Sequence, residues 1–303
     1  MIARAFLRVK LGLVVVYLQA NADSQGGTML GETRFAFVGS GVMAEAMIKG
    51  LIQRAHVAPE HITASGPRPE RGDELKTRYG IRVTTGNLAA LDGAQVAVLS
   101  VKPQMLPGVL DQLAGRMPPD ALALTIVAGA RMETITGKLR HTILARAMPN
   151  TPAQIGLGMT VWTCAPGLSE SQRQQAKAVF GSFGEEVYVD DERYLDMATA
   201  LSGTGPAYVF IFMEAMVDAG VHMGFSRRVA EQLVYQTVRG SVEYARQAGR
   251  HLATLRNQVT SPGGTSAEAL YQIEKGGLRT VLSRAIWAAY QKSRKLGRGV
   301  EEE

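Results

Sequence analysis

FAFVGSGVMAEAMIKGL, residues 35–51, carries three instructions in a row. Four apolar residues suited to a buried strand stop at Gly39, a glycine turn follows, and from Val42 apolar residues recur at helical spacing. Gly39, Gly41 and Ala44 fall in the G-x-G-x-x-G/A pattern. The first glycine of such a pattern allows the tight turn, and the second admits a pyrophosphate close to the backbone. The third small residue lets the helix pack against the strand. The triplet alone is a weak signal that a plain glycine turn would also give. A strand before it, an amphipathic helix after it and a second strand at HITAS, 61–65, point to a dinucleotide site.

Outward from this unit the same alternation repeats. IRVTT (81–85), QVAVLSV (95–101), ALALTIVAG (121–129) and TILARAMPN (142–150) read as strands with amphipathic segments between them. GMTVWTC (158–164), a helix over 169–183 and EEVYVDD (185–191) extend the sheet. Strands that alternate with helices predict a mostly parallel sheet covered on both faces. After Glu192 the strand signals stop, and the pattern is helical with breaks at SGTGP, GFS, QAGR and SPGG. The segment AYVFIFMEAMVDAGV (207–221) is apolar on nearly all sides, which predicts burial against a second subunit. The expected organisation is an α/β chain with an N-terminal extension at 1–33 and a Rossmann-type domain at 34–191. An all-α dimerisation and substrate domain follows at 192–297, then a tail at 298–303.

Composition narrows the function classes. The excess of 33 Lys and Arg over 27 Asp and Glu comes without a basic run or interleaved aromatics, so no nucleic-acid partner is expected. A single cysteine, Cys164, excludes an intrachain disulfide, and five scattered histidines show no metal-ligand spacing. A reducing, cytoplasmic setting and a buried, inert thiol are expected. Arg4, Arg8 and Lys10 precede the apolar LGLVVVYL in a pattern superficially like a secretory signal. That run is too short to span a membrane, and Met29 stands just before the first strand. Residues 1–28 are therefore read as an extended start, set aside from the fold and expected to be poorly ordered.

Where an NAD site usually has an acid after the second strand, this chain has ASGPRPE, with Ser65 and Arg68 and no acid before Glu70. A hydroxyl and a guanidinium suit a 2′-phosphate that a carboxylate would repel, so NADPH is favoured over NADH. Val101, Lys102 and Pro103 end the fourth strand at the carboxyl edge, where such sheets bind ligands. VAGA, with Ala128 and Gly129, and MPNTP end the next strands there, small enough for a nicotinamide to lie close.

In VTSPGGTSAEAL, 259–270, Gly263 and Gly264 stand before a helix that starts near Thr265 and Ser266. Unpaired N–H groups, the positive dipole end and exposed backbone suit a carboxylate or phosphate. The plainer reading is that Thr265 or Ser266 caps the helix.

Through GSGVMAEA, SVKPQ, MPNTP, LSGTGPAYVF and VTSPGGTS, in that order, residues 34–297 resemble the pyrroline-5-carboxylate reductase family. The last two motifs are specific to it. The resemblance implies NAD(P)H-dependent reduction of 1-pyrroline-5-carboxylate to L-proline. It also implies homodimers built from interleaved helical domains, often assembled into decamers. It carries coenzyme contacts onto Gly39, Ser40, Gly41, Val42, Met43, Ala44, Ser65, Asn87, Val101, Lys102, Ala128 and Gln258. It carries substrate contacts and catalytic roles onto Glu192, Thr265 and Ser266, where the family usually has Thr at the position of Ser266.

The residues allow a matching chemistry. A protonated imine is already a good hydride acceptor, so no strong general acid is demanded, and no His-Asp pair stands in a recognisable motif. Glu192 would favour the iminium electrostatically, or serve only as a helix-start acid. Two rivals share the nucleotide signature. One is a reductase of the 3-hydroxy acid dehydrogenase type, which usually places a lysine in an early helix of its second domain, whereas AYVFIFMEAMVDAG has none. The other is a nucleotide-sensing homologue without turnover.

Overall fold

The structure, a computed structural model, describes residues 30–299. The expectations for 1–28 and for most of the tail lie outside these residues. All eight expected strands are present: β1 (Phe35–Val38), β2 (Ile62–Ser65), β3 (Arg82–Thr84), β4 (Val96–Leu99), β5 (Leu122–Thr125), β6 (Leu144–Met148), β7 (Gly158–Cys164) and β8 (Gly184–Tyr188). They form one sheet in the order β3-β2-β1-β4-β5-β6-β7-β8. Every pairing is parallel except β6 with β7.

Every residue of β1, β4 and β5 is buried, as expected of a sheet covered on both faces. The covering helices are α1 (Val42–Gln53), α2 (Pro69–Tyr79), α3 (Asn87–Ala90), α4 (Leu106–Leu113), α5 (Met132–Leu139) and α6 (Glu170–Gly181). Phe35, Phe37, Met47, Ile48, Phe180 and Phe183 anchor the core. Ser169 and Gln172 start α6 with a reciprocal capping box. Cys164 is buried beside the Tyr188 hydroxyl.

Leu30, expected in the extension, has its side chain fully buried in the core, and the Gly31 carbonyl is hydrogen-bonded to His61 Nδ1. The compact units divide at Gly203 and Thr204. Helix α7 (Arg193–Ala198) stays with the sheet because Leu195 and Ala198 are buried. The expected break at SGTGP is not a break: Thr199–Gly203 widen into a π-helical turn that runs on into α8 (Gly205–His222), and the Ser202 carbonyl, four residues before Pro206, accepts instead from Asn150 Nδ2 at 3.1 Å.

The second unit, Thr204–Ala288, holds α8, α9 (Arg227–Ala248), α10 (Leu252–Gln258), α11 (Thr265–Lys275) and most of α12 (Leu278–Gly299). Gly220 lets α8 approach Ala230 of α9 closely, and Val217, Ala230 and Val234 are buried there. That small cluster is far too little to stabilise some 85 residues as a free unit. Val209, Phe210, Ile211 and Phe212 lie exposed on α8. The continuous helix Arg193–His222 is the one described segment long and apolar enough to cross a membrane by length and composition. The end of α12 rejoins the first unit, where Ser293 Oγ donates to Asp196 Oδ1 at 2.7 Å.

Candidate functional site

The parallel strands β1, β2, β4, β5 and β6 all end at one edge, so Gly39, Gly66, Ser100, Ile126 and Pro149 start the loops there. Gly39 takes φ +106°, and a Cβ on it would lie 2.8 Å from the Ser100 backbone. Only glycine fits. Gly41 differs: it is the N-cap of the twelve-residue helix α1, no side chain caps that helix, and a Cβ there would meet nothing within 4 Å. The first-turn N–H groups at Val42, Met43 and Ala44 thus open onto accessible backbone, as an anionic pyrophosphate requires. Ala44 itself is buried against the sheet, so it can offer a ligand its backbone only. These features fit a dinucleotide.

Beside this loop, Arg71 of α2 donates from Nε to the Ser40 carbonyl at 3.0 Å and from its other nitrogens to Glu45 and Glu74. Arg78 and Tyr79 also donate to Glu45. Burial raises the Glu45 carboxyl, but hydrogen bonds from Arg71, Tyr79 and Arg78 outweigh it and leave the group below its ordinary range.

The expected 2′-phosphate pair divides. Arg68 is exposed at the N-cap of α2, and its guanidinium has no partner among the described residues. Ser65 is fully buried, and its hydroxyl donates to Asn87 Oδ1 at 2.8 Å and to the Phe37 carbonyl. The Ser65 hydroxyl thus faces Asn87 and the sheet rather than solvent. Ser65 orients Asn87, whose Nδ2 donates to Gln112.

At the same edge the Lys102 side chain is exposed and without a partner among the described residues, between half-buried Val101 and Pro103. Ala128 is half-buried at the same edge. Gly129 is buried at φ +77°, and a Cβ on it would lie 3.0 Å from Leu296 Cβ, so its smallness admits the end of α12.

Glu192 is also tied differently from either reading. It caps not its own helix but α5, with Oε1 accepting the Met132 N–H at 2.8 Å and the guanidinium of buried Arg146 at 2.5 Å. Arg146 offsets the charge of Glu192, whose Oε2 stays a hydrogen-bond acceptor without a partner among the described residues. Neither Arg71 nor Arg146 was singled out from the sequence. Arg146, a charge inside the apolar run TILARAM, was the one visible signal.

In the second unit, Gly264 is the N-cap of α11, and no side chain caps that helix. The capping role considered for Thr265 and Ser266 is not what the structure holds: neither hydroxyl has a partner among the described residues. Gly263 makes the turn at φ +71°. Gln258, at the end of α10, accepts from the Tyr244 hydroxyl at 3.4 Å. Among the described residues no cluster of His, Cys, Asp and Glu is placed to hold a metal ion.

Residues 34–129 match the family described as NADP oxidoreductase coenzyme F420-dependent. Residues 192–296 match the one described as pyrroline-5-carboxylate reductase dimerisation. The pyrroline-5-carboxylate reductase of Synechocystis is 39% identical over 265 residues, covering 88% of this chain and 98% of its own. The chain belongs to the pyrroline-5-carboxylate reductase family. The Pseudomonas aeruginosa member is 38% identical over 87% of this chain and 96% of its own. Among solved structures, the Coxiella burnetii pyrroline-5-carboxylate reductase superposes with a TM-score of 0.80 at 31% identity, covering 87% of this chain and 98% of that one. The Plasmodium falciparum pyrroline carboxylate reductase, solved with NADP bound, gives 0.81 at 28% identity, covering 88% and 99%. Membership removes the 3-hydroxy acid dehydrogenase alternative.

Proposed function

We infer that this chain reduces 1-pyrroline-5-carboxylate to L-proline with NADPH, the final step of proline biosynthesis, and accepts NADH less well. The observation that carries the reading is the uncapped start of α11, with two hydroxyls that have no partner among the described residues, inside the family-specific segment VTSPGGTS. NADPH supplies the hydride. The chain's own residues bind and orient the reactants. The loop from Gly39 to Ala44 takes the pyrophosphate, Arg68 the 2′-phosphate, and Asn87, Val101, Lys102, Pro103, Ala128 and Gln258 the remaining coenzyme surface. The α11 N–H groups, Thr265, Ser266 and the close backbone at Gly263 and Gly264 hold the substrate carboxylate. Glu192 Oε2 accepts a hydrogen bond from the protonated imine nitrogen. No proton donor is needed when the imine arrives protonated, so catalysis rests on positioning and on excluding water.

The chain works as a homo-oligomer. The exposed apolar residues of α8 and the small core of its unit require a second copy. We extend this to a decamer of such dimers in the cytoplasm. The family resemblance supports the assembly, and the single thiol and reduced coenzyme suit a reducing compartment.

Initial rates with NADPH and NADH, on pyrroline-5-carboxylate and on its six-membered homologue, test the reading. Faster turnover of the five-membered imine with NADPH is expected. Arg68→Gln should raise the KM for NADPH about tenfold, the loss of one charge-assisted contact, with little change for NADH. Equal losses for both coenzymes would assign Arg68 elsewhere.

A further inference from the structure

Arg71 is absent from every role given above, yet its guanidinium makes three directed bonds beside the glycine loop. Its guanidinium bridges Glu45 in the first turn of α1, Glu74 on its own helix and the carbonyl of Ser40. It is largely buried, as is Glu45. Glu45 is held in turn by Arg78 and Tyr79, so the fork cannot swing freely.

The carbonyl it grips belongs to the Ser40–Gly41 peptide. In a trans peptide the C=O and the following N–H lie in one plane and point in opposite directions. Fixing the Ser40 oxygen toward Arg71 therefore turns the Gly41 N–H away from Arg71. Gly41 has no side chain to resist rotation of this peptide, and a Cβ there would meet no neighbour. Without a grip on the carbonyl, the loop could present an oxygen where a phosphate needs a donor.

We propose that Arg71 is a positioning residue that locks the Ser40–Gly41 peptide in the orientation that binds the coenzyme pyrophosphate. The inference rests on the coenzyme reading of the glycine loop. Because the pyrophosphate is common to both coenzymes, Arg71 governs their affinity equally, unlike Arg68, and does not govern the imine.

Direct binding titrations and steady-state kinetics on the full-length enzyme test this. Arg71→Met should raise the Kd of NADPH and of NADH alike, each about tenfold, as expected for one lost charge-assisted hydrogen bond. The kcat at saturating coenzyme and the KM for the imine should stay near normal. Arg71→Lys, which keeps the charge but not the fork, should fall between. Should Arg71→Met fail to fold, Glu45→Gln reads the same device by loosening the fork, with an expected rise of about threefold for both coenzymes. A loss confined to NADPH would make Arg71 a 2′-phosphate ligand and overturn the proposal, as would unchanged affinity in the folded variants. Gly41→Val separates the two levels. If it leaves coenzyme binding intact, the loop is not the coenzyme site and the inference falls with it. If it abolishes binding while Arg71→Met does not weaken it, only the inference falls.

Discussion

Ile211→Glu should leave no soluble, folded enzyme. Ile211 is 66% exposed in the single chain and Phe210 62%, on a helix whose inner face already packs on α9 through Val217 and Ala230. A partner copy that covers these residues would enclose the new carboxylate without a counter-charge, at a cost of several kcal/mol. A unit with so few buried residues of its own has no reserve to offset that. Gel filtration with light scattering and a circular-dichroism melt should show aggregate or unfolded chain. Ile211→Leu should keep the oligomer, within about 1.5 kcal/mol of the parent. The mass of the parent in the same experiment reads whether dimers assemble into a decamer. A well-folded, active Ile211→Glu monomer would remove the case for an obligate oligomer.

Gly264→Val should raise the KM for the imine by more than tenfold and leave coenzyme affinity near normal. A Cβ at this position would lie 2.5 Å from Ser261 Oγ and 3.2 Å from the Ser261 carbonyl oxygen. The hydroxyl can rotate aside, but the carbonyl moves only with the turn, and the branched side chain also covers the N–H groups that begin α11. Ser266→Ala should be milder, about 1 to 2 kcal/mol of substrate binding, because the backbone donors remain. The same logic predicts that L-proline binds and pyrrolidine, without a carboxylate, does not. Equal binding of the two, or weakened NADPH in Gly264→Val, would assign the segment to helix structure or to the coenzyme.

Local pattern carried far in this chain. A strand, a glycine turn and a helix within residues 35–51 are short-range features, and each later strand was bounded by its own turn residues, so all eight could be read. Direction could not: GMTVWTC looks the same whether it runs with β6 or, as it does, against it. The π-helical turn at Thr199–Gly203 was hidden because glycine and proline ordinarily signal a break. The partners of the site residues were not legible where they lie far along the chain: Ser65 meets Asn87 and Phe37, and Gly129 lies under the end of α12. The Arg146–Glu192 pair spans 46 residues and Arg71–Ser40 spans 31, beyond any periodicity a sequence displays.

The central claim is that the chain turns its coenzyme over on this imine, and product analysis tests it most directly. The purified enzyme, given NADPH and 1-pyrroline-5-carboxylate, should form L-proline mole for mole with NADPH consumed, and Thr265→Ala with Ser266→Ala should slow this at limiting imine. Tight NADPH binding with no L-proline formed would contradict the account and mark the chain as a nucleotide-binding homologue without turnover.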